Sequence, residues 1–158
     1  MKIGVMSDSH DNLPLIRRAI ERLEAEGAEC LIHAGDFIAP FAVRAILKFR
    51  GPACGCFGNN DGEKAGIRKL WPEVCDPPCE LDLGGRRILL AHDAASLDRS
   101  PDRARRAEIV ISGHTHEAEI RRDRPLRVNP GETGGWLTGR STVAILDTET
   151  LDARILQL

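Results

Sequence analysis

The sequence predicts a mixed α/β protein whose β-sheets lie in the interior and whose helices lie outside. In residues 1–62, short apolar strands alternate with amphipathic helices, which is typical of parallel βαβ units. Beyond residue 79, strands follow one another with one short polar helix among them, which indicates antiparallel pairing. The chain has 158 residues, a length that suits one domain, so we expect residues 1–158 to form a single domain.

Each element of the first part has a local cause. Residues 2–7 form a short, mostly apolar run that predicts a buried strand. Apolar residues recur at helical spacing over residues 13–23; Asp11 or Asn12 can cap this helix and Gly27 can end it. The elements that follow are a strand at residues 30–34, an amphipathic helix at 41–49 and a strand at 53–57.

The second part is richer in strands. Residues 80–83 and 86–91 flank Gly84-Gly85, which predicts a β-hairpin. A short polar helix is expected at residues 99–107. Further strands are expected at residues 108–112, 118–122, 126–129, 142–147 and 153–156.

Charge and composition argue against several classes of function. The formal net charge is −2, so no strong field draws the chain to nucleic acid or to an anionic membrane. Aromatic residues make up 4% of the chain, and stacking platforms for bases are therefore scarce. We interpret the arginine runs within residues 99–106 and 121–127 as solvated faces. No apolar run approaches the roughly 18 residues of a membrane span. The sequence does not indicate an oligomeric state.

The cysteine pattern and the first residues favour a cytoplasmic protein with reduced thiols. Asp8 comes too early for the apolar region of a signal peptide. The chain has five cysteines, an odd number that disulfides could not pair completely. Neither the Cys54/Cys56 nor the Cys75/Cys79 spacing is that of a CxxC motif, and a zinc knuckle is the alternative.

Side chains of the kinds that bind metals follow one predicted strand after another. In chain order they are Asp8 and His10, Asp36, Asn59, His92, and His114 and His116, each group after a different predicted strand. Ligands of open α/β sheets bind at the carboxyl ends of the strands. A chance scatter of histidine and aspartate would not respect this rule, so the sequence predicts one shared metal site.

The residue types suit hydrolysis of a phosphate ester by two metal ions. Two divalent ions about 3.5–4 Å apart can hold a phosphoryl group and activate water. Mixed imidazole and carboxylate ligands favour a transition metal, with Mn²⁺ expected first and Ni²⁺, Fe²⁺ or Zn²⁺ as alternatives. Asp36, in a tight turn, is the candidate bridging carboxylate. The charges of two divalent ions, the carboxylates of Asp8 and Asp36 and a hydroxide sum to about +1, which matches the charge of a phosphodiester monoanion.

The segments that carry these ligands resemble those of calcineurin-like metallophosphoesterases in order and approximate spacing. They are Asp8-Ser9-His10, Gly35-Asp36, Gly58-Asn59-Asn60-Asp61, His92 and Gly113-His114-Thr115-His116. Asn129-Pro130-Gly131 also resembles a segment of the small single-domain phosphodiesterase branch. The resemblance spans residues 8–140 and implies a four-layer αββα sandwich, in which two facing mixed sheets are flanked by helices.

The same resemblance implies a ligand set and a reaction. The first metal would take Asp8, His10, Asp36 and His116, and the second would take Asp36, Asn59, His92 and His114. The attacking group would be a metal-bridging hydroxide rather than a side chain. The expected activity is therefore that of a dinuclear metal-dependent phosphodiesterase acting on a small phosphodiester.

Three positions depart from the family pattern. Asn60 stands where many members have a histidine that assists the leaving group, and an amide cannot act as a general acid. Asp93 follows His92 where glycine is usual, so it orients a ligand or narrows substrate access. Glu132 adds a negative charge where serine is common. Asn60 is a candidate contact for substrate phosphate. Asp61 either orients a metal-binding histidine by a hydrogen bond to its ring nitrogen or stabilises the turn.

Two alternatives to a phosphodiesterase stay open at this point. One is a binding scaffold with little catalysis, which the three departures favour and the complete ligand set opposes. The other is a phosphomonoesterase, whose dianionic substrate fits the charge of the site less well. Trp136, on a glycine-rich loop, lines either the substrate cleft or a subunit contact, and His33 is interpreted as a residue of the core or one behind the ligands.

Overall fold

A computed structural model describes residues 1–99 and 101–158, apart from the side chain of Arg99. The strands are β1 (Lys2–Met6), β2 (Cys30–His33), β3 (Ala53–Gly55), β4 (Cys79–Leu83), β5 (Arg86–Leu90), β6 (Ile109–Ile111), β7 (Ala118–Arg121), β8 (Leu126–Pro130), β9 (Thr142–Asp147) and β10 (Asp152–Gln157). The helices are α1 (Leu13–Ala25), α2 (Pro40–Ile46), α3 (Lys64–Leu70) and α4 (Pro101–Arg106), with a 3-10 helix at Ala94–Arg99.

The strands form two five-stranded sheets. The first has the order β10-β9-β1-β2-β3, in which β1, β2 and β3 are parallel and β9 and β10 are antiparallel neighbours. The second has the order β4-β5-β6-β8-β7. Here the expectation of antiparallel pairing was wrong in part, because β5, β6 and β8 are parallel. The chain returns from β5 to β6 through the 3-10 helix and α4, which act as a crossover.

Three apolar clusters hold the layers together. The middle one joins the inner faces of both sheets and includes Val5 and Ile32 of the first and Leu90 and Ile111 of the second. A second cluster packs α1, α2 and α3 on the outside of the first sheet. A smaller one packs the outside of the second sheet against Leu97 and the residues around α4. This arrangement confirms the predicted sandwich of two facing mixed sheets flanked by helices.

Helix α1 follows the predicted local rules. The Asn12 side chain accepts a hydrogen bond from the Leu15 backbone N–H, so Asn12 is the cap. Gly27 has a φ of +82°, the left-handed conformation that ends many helices. A Cβ atom at Gly4 of β1 would lie 2.9 Å from Leu23, so the glycine permits close packing of α1 on the sheet.

Other expectations need correction. Helix α2 ends at Ile46, although Phe49 is still buried against the core. Helix α3 was not predicted, since Ile67 is its one buried residue and the helical periodicity is lost. Part of the helix expected at residues 99–107, namely Ser100 and the side chain of Arg99, lies outside the described residues. Cys75 and Cys79 are joined in a disulfide, so the expectation of five reduced thiols was wrong.

Candidate metal centre

The sequence-predicted ligands meet in one place, at the carboxyl ends of strands from both sheets. Strand β1 leads to Asp8 and His10, β2 to Asp36 and β3 to Asn59. Strand β5 leads to His92, and β6 leads to His114 and His116. Among the residues described, no helix combines the length and apolar composition needed to cross a bilayer.

One group of donors surrounds Asp8, which is fully buried. Its Oδ1 atom lies 3.9 Å from Nε2 of His10 and 3.6 Å from Nε2 of His116. The two imidazole rings stack with their centroids 5.2 Å apart. Carboxylate and imidazole donors therefore converge on a small volume, as they do in transition-metal sites.

A second group surrounds Asp36. Its Oδ2 atom lies 3.4 Å from Nε2 of His92, and Nε2 of His92 lies 2.9 Å from Oδ1 of Asn59. The same Asn59 oxygen is 2.9 Å from Nδ1 of His114. Because Oδ2 of Asp36 is also 3.7 Å from Nε2 of His10, this carboxylate lies between the two groups.

The donors of this centre fit metal ions. Oδ1 of Asp8 and Nε2 of His10 are buried without a hydrogen-bond partner among the residues described, although they face each other. Burial raises the pKa of Asp8 above its ordinary value despite a hydrogen bond from Ser7. A buried carboxylate oxygen without a partner is costly, and a bound cation would remove this cost.

Strained backbone marks the same residues. Positive φ angles occur at Asp8 (51°), His10 (40°), Asp36 (59°), His114 (71°) and His116 (62°). A non-glycine residue in this region typically costs of order 1–3 kcal/mol and persists where the surroundings enforce it, often at functional sites. Five of the seven predicted ligands therefore have a strained backbone, as is common at functional sites.

Hydrogen bonds from the loop after β3 hold the Asp36 carboxylate. The backbone N–H and the Nδ2 group of Asn60 donate to its two oxygens at 2.9 and 2.7 Å. A Cβ atom at Gly58 would overlap with the Asp36 carboxylate, so glycine is required for this approach. Burial alone would raise the pKa of Asp36, but hydrogen bonds from His92 and Asn60 outweigh it and hold the pKa well below the ordinary value.

Hydrogen bonds fix the orientation of two of the imidazoles. Nδ1 of His92 lies 2.7 Å from the backbone oxygen of Ala34, to which it donates, so Nε2 is left to face Asp36. Nδ1 of His116 lies 3.0 Å from Oε2 of Glu132, so its Nε2 faces Asp8. Partners of this kind set the tautomer of metal-binding histidines. Burial alone would lower the pKa of His92, but its interactions with Asp36 outweigh it and raise the pKa.

Sequence reasoning missed the role of Glu132. Its buried carboxylate accepts hydrogen bonds from the backbone N–H groups of Trp136, Leu137 and Thr138 and from the Thr138 hydroxyl, besides the contact with His116. Burial alone would raise the pKa of Glu132, but the bonds from Thr138 and His116 outweigh it and lower the pKa to about 2. The departure from serine at this position was the available signal.

Among the described residues Asp61 makes no hydrogen bond to an imidazole, so the expectation that it orients a ligand ring was wrong. Its carboxylate instead accepts backbone N–H bonds from Asp36 at 3.0 Å, Ile38 at 2.6 Å and Gly58 at 2.7 Å. These hydrogen bonds therefore connect the loop after β3 to the loop after β2. Asp61 acts on the backbone around Asp36 rather than on a ligand ring.

Replacement of Asp61 by alanine is expected to destabilise the fold. It leaves three N–H groups without their acceptor, each at a cost of about 1–3 kcal/mol. Urea denaturation should show a free energy of unfolding lower by about 3 kcal/mol or more. Asp123→Ala, a change at an exposed turn, should alter it by less than about 0.5 kcal/mol. Equal losses in the two variants would contradict this role.

Two other positions have structural explanations. The described hydrogen bonds of the Asp93 side chain include none to a proposed ligand; its Oδ1 accepts from the Ala95 N–H and caps the 3-10 helix. That Asp93 narrows substrate access stays a prediction. His33 is fully buried and its Nε2 bonds the Ser9 hydroxyl at 3.0 Å, as expected for a residue behind the ligands. Burial lowers the pKa of His33 to about 3, so its imidazole is neutral.

The described arginine side chains of residues 86–127 lie away from this centre, whereas Arg140 lines a surface pocket together with His116. Six of them, together with Glu108, line a cavity of about 550 Å³ at the amino ends of β5, β6 and β8. They are Arg86, Arg87, Arg105, Arg106, Arg124 and Arg127. Arg121 and Arg122 pair with Glu119 and Asp152 at the surface.

Comparison with known proteins gives one consistent result. The calcineurin-like phosphoesterase superfamily domain matches residues 1–151. Phosphodiesterase MJ0936 of Methanocaldococcus jannaschii is 35% identical over 161 aligned residues, which cover 98% of this chain and 97% of the relative. A solved archaeal phosphodiesterase, also 35% identical, superposes with a TM-score of 0.89 over the full length of both chains.

More distant solved structures share the fold. The phosphoesterase YfcE of E. coli is 20% identical, with a TM-score of 0.71 over 100% of this chain and 98% of its own. Zinc-bound Vps29 of Entamoeba histolytica is 15% identical, with a TM-score of 0.68 over 100% and 98%. The sequence match, the sandwich and the full-length relative agree with the resemblance predicted from the motifs, and the chain belongs to the calcineurin-like phosphoesterase superfamily.

Proposed function

We propose that this protein is a metal-dependent phosphodiesterase. The proposal is supported by the convergence of all seven predicted ligands at the carboxyl ends of strands from both sheets, with Asp36 between two groups of donors. The enzyme class is supported by a relative named a phosphodiesterase that matches along nearly the whole chain. A small phosphodiester is the proposed substrate, and the cytoplasm is the proposed compartment.

The proposed ligand assignment follows the two groups of donors. Asp8, His10 and His116 would hold the first ion, and Asn59, His92 and His114 the second, with Asp36 shared between them. Two divalent cations supply charge neutralisation at the phosphoryl oxygens and activation of a water to hydroxide as nucleophile. Mixed imidazole and carboxylate ligands suit Mn²⁺, Fe²⁺, Zn²⁺ or Ni²⁺ better than Ca²⁺ or Mg²⁺, and we propose Mn²⁺.

The chain's own residues prepare this chemistry. Asn60 holds both oxygens of Asp36, so the shared carboxylate does not rotate. The bonds from His92 to Ala34 and from His116 to Glu132 fix the rings before metal or substrate arrives. Preorganised donors need little rearrangement when charge develops at the reacting phosphorus, and this lowers the barrier.

The charge of the site favours diesters over monoesters. Two divalent cations with the ligand carboxylates of Asp8 and Asp36 and a hydroxide leave about +1, which one diester anion neutralises. The ionised Glu132 behind His116 makes a second negative charge on the substrate still less favourable. A monoester dianion would leave a net negative site. Rates on an aryl diester and on the corresponding monoester, measured with one preparation, should therefore favour the diester.

Asn60 limits the leaving groups that the site can expel. Its amide cannot protonate a departing alkoxide, and its Nδ2 group is already bonded to Asp36. Aryl diesters are the appropriate test substrates, because a phenolate leaves without a general acid.

The decisive experiment is hydrolysis of bis(p-nitrophenyl) phosphate by chelator-treated protein before and after Mn²⁺ addition. The treated protein should be inactive, and activity should return as Mn²⁺ is added up to two equivalents. Mg²⁺ and Ca²⁺ should restore less, since they prefer oxygen ligands. Tight binding of Mn²⁺ without turnover would contradict the proposal and support a binding scaffold with the same fold.

A further inference from the structure

Trp136 lies at the rim of the metal centre with its ring largely in solvent. Its exposed fraction is 63%, whereas Trp71, the other tryptophan of the chain, is 1% exposed in the core. Burying a large aromatic ring contributes substantially to stability, so an exposed indole beside a candidate site is an informative exception.

The position of the ring is fixed from two sides. Its backbone N–H, with those of Leu137 and Thr138, donates to the buried carboxylate of Glu132, which also bonds His116. The indole Nε1–H donates to the backbone oxygen of His10 at 3.2 Å. The ring is therefore attached to the backbone of one proposed ligand and, through Glu132, to the imidazole of another.

We propose that Trp136 is a stacking platform for a nucleobase in the substituent of the substrate that does not leave. This inference rests on the proposed phosphodiesterase function and assigns the substrate class as a nucleotide diester. The indole Nε1 lies 3.2 Å from the backbone oxygen of His10, a proposed ligand, so the ring is close enough for a base that is linked through its sugar to a phosphate at the centre.

The physical properties of the loop support a role in binding rather than in folding. Stacking on an aromatic ring tolerates every base, because each base has a π-face. A ring that is already immobilised loses little entropy when a base stacks on it. The loop is held by backbone groups and Glu132, so its shape does not require the indole apart from the bond to His10.

The test compares two substrates that share the p-nitrophenolate leaving group. One is thymidine 5′-(p-nitrophenyl phosphate) and the other is methyl p-nitrophenyl phosphate, which has no base. For Trp136→Ala, KM of the thymidine substrate should rise about tenfold with kcat nearly unchanged. KM of the methyl substrate should change by less than about twofold. Trp136→Phe, which keeps a ring but loses the bond to His10, should retain most of the affinity.

Equal changes with both substrates, or no change with either, would overturn the proposal. A lower molar mass of Trp136→Ala than of the wild type in light scattering would also overturn it, because a second copy of the chain would then cover the ring.

Binding is measured separately from hydrolysis, so failure of the phosphodiesterase assignment does not decide this proposal. Thymidine 5′-monophosphate should quench the tryptophan fluorescence of the wild type at concentrations about tenfold below those of 2-deoxyribose 5-phosphate. Trp136→Phe should lose this quenching, since Trp71 is buried. Identical titrations with the two phosphates would overturn the stacking role, whatever the protein hydrolyses.

Discussion

Asp36→Asn is expected to abolish hydrolysis of bis(p-nitrophenyl) phosphate while the fold survives. Asparagine keeps the shape of the side chain but removes the negative charge proposed to be shared by both ions. Its NH₂ group also replaces one acceptor of the Asn60 hydrogen bonds, so stability should fall without loss of the fold. Metal ions contribute several kcal/mol to stabilising such a transition state, so the rate should fall by about a thousandfold. Steady-state kinetics and metal analysis of the dialysed protein measure the two consequences.

A matched control separates this effect from a general loss of charge. Asp93→Asn makes the same chemical change near the same edge, at a residue that caps the 3-10 helix. Asparagine caps helices about as well as aspartate, so activity should stay within about twofold of the wild type. Wild-type activity in Asp36→Asn would refute the proposed role of this carboxylate.

Glu132→Gln is expected to weaken both metal binding and the fold. A glutamine has one acceptor oxygen, so its NH₂ group would face N–H donors that now meet a carboxylate. The metal-free protein should lose about 3 kcal/mol of unfolding free energy. Metal affinity should fall about 10- to 100-fold, as for other partners of ligating histidines. Calorimetric titration with Mn²⁺ and urea denaturation with chelator measure these losses.

The stability difference between wild type and Glu132→Gln should depend on pH. The pKa of Glu132 is lowered to about 2 in the folded protein, below its value of about 4.3 in an unfolded chain. The stabilisation is therefore complete above the unfolded pKa and is lost as pH falls through the folded one. The two unfolding free energies should converge between about pH 4.5 and pH 2.

Glu117→Gln serves as the control for this pair of measurements. Glu117 follows His116 in the chain and is exposed, and its side chain has no hydrogen bond among the described contacts. Its substitution should change neither metal affinity nor the pH profile. A difference between wild type and Glu132→Gln that stays constant from pH 6 to pH 2 would contradict the ionised, hydrogen-bonded carboxylate.

The predictable parts of this protein were those with short-range causes. The local apolar pattern predicted the strand ends before Asp8, Asp36 and His92. Because ligands bind at the carboxyl ends of strands, these side chains could be predicted to lie together. The sandwich followed from the motifs through the family resemblance. The parallel pairing of β5, β6 and β8 was not readable, because it depends on a crossover of short polar elements with weak periodicity.

The missed features depend on contacts that residue type and spacing do not reveal. Glu132 binds backbone groups of residues 136–138, and backbone donors leave no mark in the sequence. Asp61 acts in the same way on the loop after β2. The Cys75–Cys79 pair requires a turn that brings the two Cα atoms to 6.4 Å. Their spacing alone did not indicate this turn.

The metal centre draws its donors from both sheets, and this has a consequence for the lifetime of the folded chain. Oδ2 of Asp8, after β1, accepts the backbone N–H of His114, after β6, so the two layers already meet here. Cations held jointly by the layers, as proposed above, would act as a removable cross-link that the unfolded chain cannot form. Well above the dissociation constant, each tenfold rise in free metal adds about 1.4 kcal/mol to stability for each ion bound. The metal supply of a cell would thus govern how long the enzyme persists as well as how fast it works.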